Sequence, residues 1–171
     1  MKRNQITKFI ALIILVASLI LLYQKTSFSS EEITVNQRYS AKYVRVVDGD
    51  TAIFNVNNED CRVRFIGIDT PESVKPNTSV EKYGKEASNF TKEALENAED
   101  IILETDSEAK LYDKHERLLA YVFIDDELLQ AKLLENGLAK VKYIYGDYKY
   151  LDELYTAQDI AKTNKLNLWA N

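Results

Sequence analysis

The sequence is poor in cysteine and histidine, with one of each among its 171 residues. The single cysteine, Cys61, leaves no internal disulfide framework, and no cysteine follows the apolar N-terminal run as a site for lipid attachment. His115 is the only histidine, so a zinc site built from several cysteine and histidine ligands is excluded. A metal bound by this chain would therefore be held mainly by oxygen ligands.

Positive charge is also scarce over most of the chain. The net charge is −5, but the first 30 residues carry four basic residues and no acidic residue, which leaves the remainder with 18 basic and 27 acidic residues and a net charge of −9. A general nucleic-acid binder has a basic surface. This chain can therefore bind nucleic acid only through a local group of cations or through a bound metal.

The N-terminal segment has the pattern of an export signal. Lys2, Arg3 and Lys8 precede Phe9–Tyr23, which is fifteen residues without a charge. This run is shorter than the roughly 20 apolar residues that cross a bilayer. A cleaved signal peptide therefore fits somewhat better than a retained membrane anchor, and a buried helix is a third alternative.

The rest of the chain is long enough for one ordinary domain. We expect a signal peptide or membrane anchor over residues 1–30, a polar linker over 31–39 and the domain over 40–171, secreted or membrane-anchored outside the cytoplasm. The domain is expected to be a monomer, with a membrane contact only if the N-terminal segment is not cleaved.

Hydrophobic periodicity predicts an α+β fold for the domain. The predicted strands are Tyr43–Val47, Thr51–Val56, Cys61–Ile68, Ile101–Glu104 and Leu118–Ile124, and Leu138–Tyr145 is also extended. The predicted helices are Gly84–Ala98, Leu128–Asn136 (closed by Gly137) and Tyr148–Lys162. Five short strands with packed helices favour a small OB-type Greek-key β-barrel.

Three segments contain the residues suited to chemistry: VDGDT at 47–51, RVRFIGIDTPE at 62–72 and DKHERLLAYV at 113–122. Asp50 and Asp69 stand at predicted strand ends, and the carbonyl of Thr70 follows the second. Ca²⁺ prefers several oxygen ligands from carboxylates, carbonyls and water, so these three residues are candidate ligands. Taken singly, Asp-Gly-Asp and Asp-Thr-Pro are equally well explained as ordinary turns.

Two arginines and one glutamate complete a candidate phosphoryl-transfer site. Arg64 and Arg117 could grip a phosphate with paired hydrogen bonds, and Glu72 could orient or deprotonate a water molecule. Each of these residues alone could instead form a surface salt bridge. Together with a cation, they make one coherent site for phosphodiester hydrolysis.

The segment from Tyr43 to Trp169 resembles the staphylococcal nuclease (thermonuclease) family. The resemblance rests on DGDT, an arginine five residues before DTPE, YGKEAS at 83–88, the segment with DK, R and LAYV, ENGLAKVKYIY, and KLNLW. It implies an OB-fold barrel with three helices, and Ca²⁺-dependent cleavage of DNA and RNA to 3′-phosphate products. It also implies metal ligands at Asp50, Asp69 and Thr70, catalytic residues at Arg64, Glu72 and Arg117, and nucleotide contacts at Lys114, Tyr143 and Tyr145.

The sequence departs from the family pattern at His115-Glu116, where the family usually has Tyr-Gly. His115 either replaces the tyrosine's hydrogen bond to a terminal phosphate or is an ordinary exposed loop residue. Glu116 adds a negative charge beside the phosphate site and removes a glycine suited to positive φ. The Thr105–Tyr112 loop is one residue longer than the usual pattern.

Tyr143 and Tyr145 are expected to share one face of a strand, where they could stack on a base or simply pack. The alternative to the nuclease is a non-catalytic OB-fold module that binds nucleic acid, or an envelope protein that uses the domain as an interaction module. Either alternative would bind without turnover.

Overall fold

The computed structural model describes residues 3–26, 32–73 and 81–170, and the chain divides into two compact units, Met1–Glu32 and Ile33–Asn171. The first unit is helix α1, Arg3–Thr26, whose apolar side chains between Phe9 and Leu21 are exposed. Among the described residues, no helix combines the length and apolar character needed to cross a membrane.

The second unit is built on one large sheet and one small sheet. The strands are β1 (Arg38–Ser40), β2 (Lys42–Asp48), β3 (Thr51–Val56), β4 (Glu59–Phe65), β5 (Ile68–Asp69), β6 (Ile101–Glu104), β7 (Leu118–Ile124), β8 (Glu127–Leu128) and β9 (Lys140–Val141). The large sheet has the order β1-β6-β7-β4-β3-β2, with β8 paired to β7, and the small sheet pairs β5 with β9. Only the β4–β7 pair in these sheets is parallel.

The α+β class is as predicted, but the closed barrel of five strands is not. The described strands form a mostly open sheet of seven, because β1 and β2 lie at its two ends and do not pair with each other. These two strands are consecutive in the chain and separated only by Ala41, whose N–H donates to the carbonyl of Ile101 at 2.9 Å. One chain segment therefore supplies both end strands.

Three α-helices lie in the described part of the second unit, as expected. They are α2 (Gly84–Asn97), α3 (Leu129–Glu135) and α4 (Leu151–Thr163), and a 3-10 turn covers Asn167–Trp169. The helical period predicts an apolar stripe of Ala87, Phe90, Ala94, Leu95 and Ala98 on α2. The structure buries Ala87 and Leu95 of this stripe together with Thr91, which is not part of it, and leaves the other three half-buried.

Gly137 ends α3, as the sequence predicted. It has φ of 62°, and its N–H donates to the carbonyl of Leu134 at 2.8 Å. A Cβ at this position would lie 2.4 Å from the carbonyl oxygen of Leu166, so both the conformation and the close approach require glycine.

The core lies between the large sheet and the three helices. Its largest fully buried apolar side chains include Phe54, Phe65, Ile68, Leu103, Leu118, Tyr121, Leu129, Leu133 and Leu154. Complete burial of such a side chain contributes about 1.5–3 kcal/mol. This core fixes β3, β4 and β7, and Asp50, Arg64 and Arg117 lie at or near the ends of these strands.

Most predicted boundaries differ from the structure by a few residues, and two of the differences change the sheets. The strand predicted over Cys61–Ile68 ends at Phe65, because the chain turns at Gly67, which has φ of +77°, before β5 begins. Residues 38 and 39 were assigned to a linker, but they belong to β1, and Tyr39 is buried. Three-residue strands carry too little alternation for a sequence pattern to register.

Candidate active site

One cavity of about 900 Å³ contains all the residues that the sequence assigned to a site. Its walls come from the segment after β2, from β4 and β5, from the loop before β7 and from the segment after β9. The predicted site residues that line it are Asp50, Arg64, Asp69, Thr70, Glu72, Lys114, His115, Arg117, Tyr143 and Tyr145. The fold thus brings the ten together, while their individual roles stay predictions.

Asp50 is buried at the floor of this cavity, with 5% of its surface exposed. Its Oδ2 accepts the backbone N–H of Thr70 at 2.9 Å and lies 3.1 Å from Nη2 of Arg64, and its Oδ1 accepts the Thr51 hydroxyl at 3.0 Å. Burial raises the pKa of Asp50, and the charge of Arg64 partly offsets that effect. The carboxylate is therefore fixed in direction and costly to keep charged.

The turn that carries Asp50 is held by tight packing around Gly49. The hydroxyl of Thr91 on α2 donates to the carbonyl of Gly49 at 2.6 Å. A Cβ at Gly49 would lie 2.7 Å from Oγ1 of Thr70 and 2.9 Å from the Cβ of Ala87. Glycine is needed at this position because the backbone approaches both α2 and the Asp-Thr-Pro segment.

Arg64 joins the two carboxylates that were predicted as metal ligands. Its Nη2 lies 3.1 Å from Oδ2 of Asp50 and 3.1 Å from Oδ1 of Asp69, and its Nη1 donates to the carbonyl of Phe65 at 3.1 Å. The side chain of Arg64 is only 9% exposed, whereas that of Asp69 is 30% exposed. Asp50 and Asp69 thus converge on one point.

The donor set at this point fits a hard divalent cation with a partly open coordination sphere. The described ranges hold no group of three or more histidine, cysteine, aspartate or glutamate side chains placed to hold a metal. Two carboxylates do converge there, and Oγ1 of Thr70 is buried without a hydrogen-bond partner among the described residues. Ca²⁺ takes six to eight oxygen ligands, so water or substrate would supply the others.

Arg117 is organised by Asp113 at the end of the loop before β7. Its Nε and Nη2 lie 2.7 and 2.6 Å from Oδ2 of Asp113. The backbone N–H groups of Arg117 and His115 donate to Oδ1 of the same carboxylate at 3.0 and 2.8 Å. Burial alone would raise the pKa of Asp113, but these hydrogen bonds outweigh it and hold that pKa below its ordinary value.

Glu116 occupies a conformation that suits glycine. Its φ is 60°, and its N–H donates to the carbonyl of Asp113 at 3.1 Å, which closes the turn that carries Lys114 and His115. Both of these residues are exposed at the cavity wall. Glu116 therefore adopts a positive φ although it has a side chain, and this conformation costs about 1–2 kcal/mol.

The expectation that Tyr143 and Tyr145 share a strand face is wrong. Strand β9 ends at Val141, and Tyr143 has φ of 60°, so the alternation of an extended strand does not continue through this segment. Both side chains nevertheless line the cavity, with 47% and 82% of their surfaces exposed. The guanidinium carbon of Arg64 lies 5.7 Å from the ring centroid of Tyr143.

Glu72 lines the cavity two residues before residues 74–80, which are outside the described structure. Its carbonyl accepts the N–H of Glu81 at 3.0 Å, and its own N–H donates to Oε2 of Glu81 at 3.2 Å. A Cβ at Gly84 would lie 2.6 Å from the Glu72 carbonyl oxygen, so this glycine allows α2 to start against the Glu72 backbone.

Five further polar residues line the cavity without having been predicted from the sequence: Asp48, Thr51, Arg62, Asp113 and Tyr148. Arg62 shares a strand face with Arg64, and Asp113 precedes Arg117 by four residues, so both carried a usable signal of spacing. With these residues, the wall carries five carboxylates and four cationic side chains. A cavity that binds a polyanion usually has the opposite balance.

Comparison with known proteins supplies the family. Residues 62–171 match a family model described as staphylococcal nuclease homologue. The chain belongs to the staphylococcal nuclease family. The thermonuclease of Staphylococcus hyicus is 41% identical over 165 residues, which cover 94% of this chain and 96% of that protein. The thermonuclease of Staphylococcus intermedius is 50% identical over 125 residues, 73% of each chain.

A third relative in the staphylococcal nuclease family is the endonuclease YncB of Bacillus subtilis, 42% identical over 127 residues, which cover 74% of this chain and 59% of that protein. The resemblance inferred from the motifs is therefore confirmed. In this member of the family, the cavity combines two convergent carboxylates, two arginines and a glutamate. Such a set can neutralise and orient a phosphate diester and activate a water molecule to attack it.

Proposed function

We propose that this chain is a Ca²⁺-dependent nuclease that hydrolyses phosphodiester bonds in DNA and RNA and leaves 3′-phosphate products. The observation that carries the proposal is the convergence of Asp50 and Asp69 on Arg64, in the same cavity as Arg117 and Glu72. The printed names of the relatives, thermonuclease and endonuclease, support the same reaction class.

Asp50, Asp69 and Thr70 would hold the calcium ion. When bound there, the ion supplies positive charge next to the scissile phosphate and polarises one of its oxygens. All four carboxylate oxygens of Asp50 and Asp69 already have partners on this chain, but Oδ2 of Asp69 is held by the exposed Lys142 and is the most easily freed for the ion. Thr70 would contribute its carbonyl oxygen.

The chain's own side chains carry the remaining steps. Glu72 takes the proton of the attacking water or orients that water toward phosphorus. Arg64 and Arg117 keep their charge and donate paired hydrogen bonds to the phosphoryl oxygens as negative charge grows on them. The bond from phosphorus to the 5′-oxygen breaks, the 5′-oxygen takes up a proton, and the phosphate stays on the 3′-side.

Substrate contacts outside the reacting centre are assigned to the exposed rim. Lys114 and His115 present their side chains on the tight turn closed by Glu116, where a phosphate of the nucleic-acid chain can be reached. Tyr143 and Tyr145 offer exposed rings to a base. Stacking on aromatic rings tolerates any base, so it suits an enzyme that acts on both DNA and RNA.

Incubation of the purified protein with DNA and with RNA, in calcium or in excess chelator, tests this proposal. We expect cleavage of both polymers in calcium and none in chelator, with a phosphate on the 3′ end of each fragment by mass spectrometry. Binding of the polymers without cleavage in calcium would instead support the non-catalytic module. Cleavage that persists in chelator would refute the role of calcium.

We further propose that the domain acts outside the cytoplasm as a monomer, and that it contacts the membrane only if residues 1–30 are retained. The basic start and the uncharged run of Phe9–Tyr23 support export. Cell fractionation with protease shaving tests this placement. A main pool that is cytoplasmic and protected from protease would contradict it, and light scattering of the soluble form would reveal a dimer.

A further inference from the structure

Lys142 forms an ion pair with one of the two carboxylates of the candidate calcium site. Its Nζ lies 2.8 Å from Oδ2 of Asp69, while Oδ1 of the same carboxylate is held by Arg64 at 3.1 Å. Both oxygens of Asp69 therefore face a cationic side chain. Lys142 does not line the cavity and stands beside the site, on the segment that leaves β9.

The backbone around Lys142 is held by pairing with β5, whereas its side chain is half exposed. The pairing of β5 with β9 sets Ile68 opposite Val141 and Asp69 opposite Lys140. The N–H of Lys142 donates to the carbonyl of Gly67 at 2.9 Å, which extends this contact beyond the strand. The ammonium group thus starts from a defined position and reaches Asp69 diagonally across the pair.

The two cations on Asp69 differ in how easily they can leave. The side chain of Arg64 is 9% exposed and is also tied to Asp50 and to the Phe65 carbonyl. The side chain of Lys142 is 52% exposed. An exposed lysine pair contributes little net free energy, because solvent screens it and the long side chain loses freedom.

Lys142 also has a second partner besides Asp69. Its ammonium lies 4.9 Å from the ring centroid of Tyr143, within the range of a cation–π contact. Release of the carboxylate therefore leaves the ammonium beside a favourable partner instead of only in water. Lys142 connects a candidate metal ligand with a candidate base-stacking ring.

We infer that Lys142 is a built-in counter-ion that competes with calcium for Asp69 and so sets the calcium concentration at which the site fills. The inference rests on the proposed function, because it requires Asp69 to be a ligand. Asp69 can offer Oδ2 to the metal only when Lys142 releases that oxygen. Removal of the lysine should therefore tighten calcium binding, whereas a lysine that merely oriented Asp69 would weaken it when lost.

Lys140 provides a matched control on the same strand. It carries the same charge and lies directly opposite Asp69 in the β5–β9 register, but its ammonium is placed over the ring of Trp169, 5.3 Å from the centroid. Loss of either lysine changes the net charge of the protein by the same amount. Only the Lys142 variant removes an ion pair from Asp69.

Calcium titration by calorimetry, without nucleic acid, tests the inference on the full-length wild type, Lys142→Ala and Lys140→Ala. We expect the calcium Kd of Lys142→Ala to be lower than that of Lys140→Ala by roughly two- to fivefold, the range of an exposed ion pair. The calcium concentration that gives half-maximal cleavage should likewise be lower for Lys142→Ala than for Lys140→Ala, by a similar factor.

The possible results separate this inference from the proposed function. Equal dissociation constants for the two variants, or a higher value for Lys142→Ala, would overturn the role of Lys142 while wild-type cleavage in calcium still stood. A wild type that neither binds calcium nor cleaves nucleic acid would refute the proposed function, and the inference would fall with it.

Discussion

Replacement of Arg117 by lysine separates catalysis from binding and from stability. Arg117 uses two nitrogens, Nε and Nη2, on one oxygen of Asp113, and its side chain is 22% exposed at the cavity wall. Lysine keeps the charge but offers a single nitrogen on a flexible stem. The change therefore removes a planar pair of donors and leaves the local electrostatic field nearly unaltered.

The expected loss of stability is small. The pair with Asp113 is partly buried, and lysine can still make one of its two contacts, so the free energy of unfolding should fall by about 1 kcal/mol. The backbone N–H of Arg117 also donates to Asp113 and does so whatever the side chain. For a protein of this size, that loss lowers Tm by roughly 2–4 °C.

The expected loss of rate is much larger. Loss of one preorganised donor to a developing charge lowers kcat by roughly 10²- to 10³-fold. Substrate affinity should change little, because the charge remains and the donor matters most in the transition state. Steady-state kinetics in saturating calcium and a thermal melt of the same preparation would measure both effects.

Arg62→Lys is the matched control. Arg62 lines the same cavity from β4, and the substitution makes the same chemical change at a residue without an assigned role. We expect its kcat to stay close to that of the wild type. The reasoning would be refuted by a near-normal kcat in Arg117→Lys, or by an equal loss in both variants.

Four further outcomes are expected. Asp50→Asn should abolish cleavage yet keep or raise Tm at neutral pH, because burial raises the pKa of Asp50 and makes its charged form costly in the folded protein. The gain in Tm should shrink as pH falls toward the ordinary pKa of 3.8, and a Tm below that of the wild type at neutral pH would contradict the reasoning. Glu116→Gly should stabilise the protein by about 1 kcal/mol in urea unfolding, because glycine accepts φ of 60°, whereas Glu116→Gln should not. Glu104→Gln should lower stability by about 1–3 kcal/mol at neutral pH. Burial would raise the pKa of Glu104, but hydrogen bonds from Lys149, Arg38 and Tyr150 outweigh it and lower that pKa. The loss of stability should therefore vanish as pH falls from 4.5 through the lowered pKa, and a loss that stayed constant with pH would count against the ion pairs of Glu104 with Arg38 and Lys149. Arg117→Lys, which cuts slowly, should bind a fluorescent oligonucleotide more tightly in calcium than in chelator at equal ionic strength, and equal affinities would refute a metal-dependent cavity.

The strands with a clear hydrophobic period were predictable from the sequence, but the way in which the strands pair into sheets was not. The predicted strands over Thr51–Val56, Ile101–Glu104 and Leu118–Ile124 coincide with β3, β6 and β7. Pairings such as the parallel contact of β4 with β7 depend on distant segments, and a local period carries no information about them. Strands of two or three residues carry too few alternations to be recognised.

The residues that line the cavity were recognisable in the sequence because Asp, Gly and Arg mark its turns and strand ends, although their roles stay predictions. Their pairing was not, since the meeting of Arg64 with Asp50 and Asp69 joins three segments through the tertiary fold. The conformation of Tyr143 was missed for a related reason. Strand β9 ends at Val141 because β5, its partner from another segment, has only two residues, and no glycine in the sequence marks the positive φ of Tyr143.

The charge of the cavity explains why a cation is central to the proposed reaction. The wall carries five carboxylates and four cationic side chains, on a domain whose sequence after residue 30 has a net charge of −9. A nucleic acid that approaches such a surface is repelled overall, because every phosphate adds negative charge. One bound divalent ion would change the charge of the wall from −1 to +1, so binding of the polyanion would depend on occupancy of the calcium site. Lys142 would then act at the step that decides this occupancy, because its ion pair neutralises Asp69 only while calcium is scarce.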